Sequence, residues 1–488
     1  MITFFIGLAI LIIGGALYGR FVERVMKPTD VQTPATRMRD GVDFVPMKKW
    51  RNSLIELLNI AGTGPILGPI QGALFGPIAF LTIPIGCVIG GAVHDYMVGM
   101  ISMRCDGEQT PAMVRRFLGK HIYHIYQVFV CLLLLLLGVV FIYTPGDLFV
   151  TQIMNQDASL GNPVIIIVYA VIFLYYIIAT LFPIDKIIGK VYPIFGAILL
   201  LSAVGVFFGM FIKGYPMKEI WDTGIAGIHP FGEHFIPIFF VTVACGIVSG
   251  FHSTQATLVS RSVMDEREGR TVFYDMMIAE GFIAMIWAAA AMGAMYIGIT
   301  DADTLHGAPT SVVGIVAKDM LGSIGGIIAI VGVIVLPITS GDTALRSLRL
   351  IIGDALHIDQ TKKKNCLPMA LVIFGVVAAV LIYSKMDANG FNILWRYFSW
   401  ANEVTAVFAF TFITAYMIRK KMPFLIALLP GCFYCYVCIS YILNARIGFG
   451  LPWTAAYIIS GVLTALYAVL IIWYGRKRAV DPLTSSMP

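Results

Sequence analysis

Five ionisable side chains of this sequence stand in stretches otherwise apolar enough to avoid water. They are His94 and Asp95 in GGAVHDY, Glu280, Asp342 in LPITSGDTALRSLR, and Glu403. At membrane depth such groups are costly and usually mark an ion or substrate path. A histidine beside a carboxylate can pass protons near neutral pH. The plain alternative for His94–Asp95 is a pair that anchors helices or balances Arg104. Asp342 stands with Thr339, Ser340 and Thr343. Their hydroxyl, carbonyl and carboxylate oxygens suit a hard cation such as sodium. A proton carried on Asp342 serves equally, and the plain alternative is an ion pair with Arg346 four residues on.

The next candidates are backbone groups. Ile60 to Pro77 reads IAGTGPILGPIQGALFGP, with glycines and prolines inside an apolar run. Pro65 and Pro69 each remove a backbone donor and crowd the preceding turn. In lipid, freed amides and carbonyls survive only inside protein or along a wet cavity, which is how transporters build mid-membrane substrate sites. Gly62, Thr63, Gly64 and Pro65 are read as such a break. Gly68, Gly72 and Gly76 are read as close-packing positions of the small-xxx-small kind.

A second irregular stretch holds Cys245, Gly246, Ser249 and Gly250, followed by the polar run His252, Ser253, Thr254 and Gln255, which could hydrogen-bond a substrate. Asn402 beside Glu403 is a further candidate lining pair. A helix amino terminus freed at a break offers amides and partial positive charge, so a small carboxylate is the natural ligand. Cys432, Cys435 and Cys438 form C-x-x-C-x-x-C without a fourth ligand nearby and are read as packing residues. The sequence contains no Walker A, H-E-x-x-H or EF-hand motif. ATP-driven transport by this chain, enzyme activity and a metal cofactor are therefore not expected; a bound proton or sodium ion is.

Those groups need elements to hold them. The chain has 488 residues, 58% hydrophobic and 13% charged, with mean hydropathy +0.85. That balance belongs to an all-α polytopic membrane protein. The first apolar segment lacks a basic start and a cleavage site, so it reads as a membrane helix rather than a signal peptide. The net charge of +6 is no nucleic-acid signal, because the basic residues lie in short loops. The eight cysteines imply no disulfide framework.

Apolar runs give thirteen spans: 2–20, 53–74, 77–102, 121–144, 163–182, 191–212, 235–258, 271–299, 323–350, 366–384, 392–418, 423–443 and 452–474. Alternating them places most of the 34 Lys and Arg on one side, which predicts the amino terminus outside and the carboxyl terminus in the cytoplasm. An odd number of spans separates the two irregular stretches. Residues 53–233 and 234–421 are therefore expected as two five-helix units of opposite orientation, each opening on a broken helix. Residues 1–52 add a helix and loop, and 422–488 add two helices and a tail. Segment 301–322 is half polar and is expected as an outer helix or connecting loop.

The runs DGVDFVPMKKW, NIAGTGPILGPIQGALFG and GGAVHDYMVGMISMRCDG, with TVACGIVSGFHSTQATLVSRSV and LPITSGDTALRSLR, resemble the carbon starvation protein A family. The resemblance implies membrane uptake of small nutrients, peptides or pyruvate, with proton coupling for pyruvate. It also implies the five-plus-five inverted repeat of amino-acid/polyamine/cation-type transporters, with Gly62–Pro65 and Cys245–Gln255 lining the site. The expected function is a secondary active transporter that imports a small carboxylate or short peptide by alternating access, coupled to protons or sodium. A channel and a metal-binding integral-membrane protein are the alternatives. The expected surroundings are the cell inner or plasma membrane, a small-molecule substrate and no nucleic acid; the sequence carries no sign of oligomeric state.

Overall fold

A computed structural model describes residues 1–41, 43–181, 185–224, 228–358, 363–387 and 389–479. The elements are helical, and among the described residues the sole β-pairing is an isolated bridge between Met47 and Val263. A chain this apolar must satisfy its amides within each segment, which selects helices. Ten helices are long and apolar enough to cross a membrane: α1 Ile2–Met26, α4 Ala79–Arg104, α5 Lys120–Ile153, α8 Phe235–Ser262, α9 Glu266–Tyr296, α10 Pro309–Gly353, α11 Asn365–Met386, α12 Gly390–Arg419, α13 Leu425–Asn444 and α14 Trp453–Lys477. Between α1 and α4, α2 Lys49–Ile60 and α3 Gly64–Phe75 pass the same test together, bent by 50°. Helices α6 Pro163–Leu181 and α7 Asp185–Ile212 complete the series. The apolar segments read from the sequence overlap these helices or the bent pair; ten of the helices, or eleven spans with the bent pair, have the length and composition to cross, and the apolar runs of α6 and α7 among the described residues are shorter.

Helix α10 is interrupted where the sequence divides it. The sequence divides an outer segment, 301–322, from a span that begins at 323. A short helix at Ala302–Gly307 is followed by a helical run from Pro309 that is interrupted at Gly322 (φ +71°, ψ 177°), and a Cβ on Gly326 would lie 2.7 Å from the Lys318 Cα, so the chain folds back on itself there. Only glycine takes that conformation without strain, so Gly322 ends one helical segment and lets the next begin at a sharp turn.

Both glycine-rich stretches are broken. Between α2 and α3 the helix stops at Ala61 (ψ 57°) and restarts at Gly64, with Pro65 in the first turn, where a missing N–H is harmless. In α8, a single 3₁₀ turn at Ala244–Gly246 leads into extended backbone at Ser249 (φ −136°, ψ 124°) before the helix resumes at Gly250. The two breaks pack against each other. A Cβ on Gly64 would fall inside the Cys245 side chain. One on Gly246 would lie 3.3 Å from the Pro69 ring, and one on Gly68 would lie 2.7 Å from the Thr242 carbonyl oxygen. Backbone meets backbone here, which is the use of small residues between membrane helices.

Helix α9 runs through the centre, with Ile283 to Met292 buried, whereas α14 shows Ile458, Val462, Leu466 and Val469 outward as a lipid-facing helix does. At the basic end, the loop after α1 and the start of α2 are strapped to the end of α8: Thr33 Oγ1 donates to the O of Val263, just past α8, at 2.6 Å, and Asn52 Nδ2 of α2 to Ser262 O at 3.1 Å.

Candidate functional site

Four of the predicted ionisable residues converge. Asp95 on α4 and His252, on the α8 half-helix that follows the break, lie 157 residues apart in sequence. The packing of α4 on that half-helix places His252 Nδ1 3.0 Å from Asp95 Oδ2, while His94 Nδ1 lies 2.7 Å from Asp95 Oδ1. If each histidine donates from Nδ1, Asp95 accepts from both and each Nε2 is left to accept. His252 Nε2 then faces Glu280 Oε2 of α9 at 3.6 Å, and His94 Nε2 has no hydrogen-bond partner. All four side chains are buried. The series His94–Asp95–His252–Glu280 links α4, α8 and α9 by groups that can exchange a proton.

Sequence reasoning missed a fifth member. Glu56 on α2 is fully buried within electrostatic reach of Asp95 and Glu280, and neither of its carboxylate oxygens has a hydrogen-bond partner. Its signal was an acid one turn before the break, masked by Lys48, Lys49 and Arg51, which make the segment read as a loop edge. Glu280 likewise has both oxygens unpartnered. A carboxylate enclosed at this depth costs several kcal/mol unless a proton, cation or donor compensates it.

The second group surrounds the break in α8. Asn402 Oδ1 accepts from the Phe251 N–H at 2.9 Å, and its Nδ2 donates to Ser249 Oγ at 2.9 Å and to Cys245 Sγ at 3.2 Å. One buried amide thus satisfies three groups that the irregular backbone leaves over. Gly250 presses on α12 so closely that a Cβ there would meet the Ala406 nitrogen at 2.6 Å. Thr63 and Ser249 are buried at this junction with Gly62, Gly64 and Pro65 on the opposing break. Ser253 Oγ donates to Gly250 O at 2.6 Å and Gln255 Nε2 to Thr254 Oγ1 at 3.1 Å, so both side chains are engaged within their own helix. Glu403 points elsewhere, with both oxygens buried and unpartnered, near Tyr434 and Cys438 of α13.

Asp342 engages its own helix: Thr343 Oγ1 donates to it at 2.9 Å and Arg346 Nη2 lies 3.7 Å away. The ion pair that the sequence offered as the plain alternative is present. Ser340 is half-buried, and the Thr339 side chain lies outside the described residues. Among the described residues no group of three or more His, Cys, Asp or Glu is placed to hold a metal ion.

Over the end of the bundle opposite the basic loops, a polar latch joins three elements. Gln71 Nε2 at the end of α3 donates to His306 O at 2.7 Å and to Asn392 Oδ1 of α12. Glu233 pairs with Arg396 and lies 3.7 Å from His306 Nε2. Burial alone would push Glu233 up, but the His306 and Arg396 donors outweigh it and hold its carboxyl down at about 2. Burial pushes neighbouring His229 down to about 4, against the pull of Glu233.

The sequence model of the carbon starvation protein CstA family matches residues 1–213 and 167–316. The chain belongs to that family. An uncharacterized membrane protein of Haemophilus influenzae is 41% identical over 332 residues, covering 59% of this chain and 89% of the relative. The peptide transporter CstA of Helicobacter pylori strain J99 is 26% identical over 59% of this chain, which spans about half (50%) of that relative. A 115-residue stretch is 42% identical to the peptide transporter CstA of Bacillus subtilis, covering 23% of this chain and 19% of that one. Among solved structures, a manganese transporter of Eremococcus coleocola superposes with a TM-score of 0.60 over 91% of this chain and 99% of its own, at 10% identity. That likeness concerns the fold alone. This CstA-family chain is a multi-pass membrane protein with a buried histidine–carboxylate series beside two facing helix breaks.

Proposed function

We propose that this protein is a proton-coupled secondary active transporter for short peptides or pyruvate-like carboxylates. The observation that carries the reading is the buried series His94–Asp95–His252–Glu280, which ties the helix after one break to α4 and α9. A proton held there changes how α4, α8 and α9 attract one another, and that biases the rocking of one half against the other. The two five-helix units, 53–233 and 234–421, are the bodies that rock. The pairing of Asp342 with Arg346 favours the histidine–carboxylate series over the Thr339–Ser340–Asp342 group as the coupling site.

The substrate carboxylate docks against the amino end of α3, beside Thr63, because Asn402 already occupies the Phe251 N–H of the facing break. Thr63, Ser249 and Asn402 are buried, so substrate reaches them only when the halves separate. The peptide class agrees with the names of the Helicobacter and Bacillus relatives.

Uptake of labelled di-alanine and pyruvate into proteoliposomes, under an imposed pH or sodium gradient, tests the reading. Accumulation should follow the pH gradient, and Asp95→Asn should abolish accumulation while leaving exchange of substrate across the membrane. Accumulation driven by sodium with no response to pH would refute proton coupling. Single-channel currents would refute alternating access.

A further inference from the structure

The basic end of the bundle carries two adjoining cavities that the transport reading does not use. One, of about 640 Å³, lies between the end of α1 and the α12–α13 turn, floored by Val25, Tyr416 and Met422. The other, of about 480 Å³, runs along the flank of α1. Arg24 and Lys27 line both; Lys421 and Lys420 stand on the far wall of the first and Arg20 in the second. These five cations are exposed.

The acids nearby are already engaged. Glu266 accepts from Arg104 Nε at 3.0 Å and Nη2 at 2.8 Å and from the Thr29 N–H at 2.9 Å, and Glu23 faces Arg270 Nη1 at 3.2 Å. Arg104 also donates to the Met26 and Lys27 carbonyls, at 3.1 and 3.0 Å. It therefore fixes the turn at Lys27, whose φ is +50°. Lys421, on the opposite wall, also takes a left-handed conformation (φ +55°). Cations gather at helix carboxyl ends and in inner loops for general reasons. A preformed cavity with two fixed lysine turns and no unengaged acid on its walls goes further.

We infer that these two cavities hold the paired phosphates of one membrane lipid, a diphosphatidylglycerol of the cardiolipin type. The shared Arg24 and Lys27 lie between the two phosphates, and the apolar floor beside the membrane ends of α1 and α12 receives the glycerol backbone. Basic pockets between membrane helices bind anionic head groups in this way. A free phosphate would share the chemistry but has no use for the second cavity or the apolar floor.

The test is native mass spectrometry of delipidated full-length protein titrated with cardiolipin, phosphatidylglycerol, phosphatidylcholine or inorganic phosphate. The parent should retain one cardiolipin in preference to the others. Lys27→Asn with Lys421→Asn should weaken it about 30-fold, the effect of removing two interfacial cations at ~1 kcal/mol each. Asparagine tolerates both left-handed turns, so the fold should survive, as a second titration of Arg24→Gln alone would corroborate with a smaller loss. Lys48→Asn with Lys49→Asn, at the same end but outside both cavities, should change nothing. Equal binding of phosphatidylcholine, unchanged affinity in the double variant, or phosphatidylglycerol binding as tightly as cardiolipin would overturn the proposal. So would displacement of the lipid by millimolar inorganic phosphate.

Discussion

Glu233→Gln is the most informative single change at the end opposite the basic loops, because its effect can be worked out in advance. Glu233 pairs with Arg396 and His306 and is held at about 2, against an ordinary 4.5. A depressed carboxylate contributes stability above its unfolded value and loses it as pH falls towards the folded one. The difference of roughly 2.5 units corresponds to about 3 kcal/mol, or about 300-fold in the opening equilibrium of the latch at pH 7. With Gln standing in for the protonated acid, the Ala302–Gly307 helix, which carries the His306 share of that difference, should exchange its amide hydrogens faster in the variant at pH 7, by at most about 300-fold. At pH 3 the wild-type latch has lost most of that advantage, and the same linkage leaves a ratio of at most about 10-fold. Hydrogen exchange of peptides covering 301–308, compared at matched pH, measures both numbers. A ratio near one at pH 7, or one that does not fall between pH 7 and pH 3, would refute the assignment of Glu233 as the charge that holds the latch.

Further outcomes follow from other contacts. His229, held at about 4 against an ordinary 6.5, favours the fold above pH 6.5, and that share should disappear between pH 6.5 and 4. The melting temperature of wild-type protein should fall across that window more than that of His229→Asn. Asn402→Ala leaves the Phe251 N–H and Ser249 Oγ without their buried partner and should destabilise by about 2–5 kcal/mol in denaturant titrations. Gly68→Ala drives a Cβ to 2.7 Å from a backbone oxygen of α8 and should cost about 1–3 kcal/mol with loss of uptake. Gly62→Ala meets nothing nearer than Phe141 at 4.0 Å, so the folded yield should match wild type.

Much of the scaffold could be read from one dimension because lipid imposes local rules. Apolar length marks each helix, and Gly64–Pro65 and Gly246–Ser249 mark the interruptions, since each of these is a property of neighbouring residues. The partners of the polar groups are not. Nothing near Asp95 in the chain announces His252, and nothing near Gln71 announces Asn392, 321 residues away. Glu56 stayed hidden because burial depends on what α9 and α4 place around it, while its sequence neighbours are charged. At Asp342 the sequence left a cation, a proton and an ion pair open, and the structure shows Arg346, one turn on in the same helix, 3.7 Å away. The break at Gly322 falls at the boundary the sequence marks between 301–322 and 323–350, because glycine and the change from polar to apolar composition are both local signals.

The contact between the two interruptions has a consequence for anyone who would retune what this protein carries. At Gly64, Gly68 and Gly250 an added Cβ would lie under 3.0 Å from backbone or the first atoms of a side chain, so no rotamer can make room, while at Gly246 the nearest atom lies at 3.1 Å. A mutational library that includes those positions will spend many of its members on destabilised chains. Variation in specificity has to come from the side chains that border the junction, such as Thr63, Ser249 and Asn402, with the glycines held constant as the fixed axle on which any altered version still has to turn.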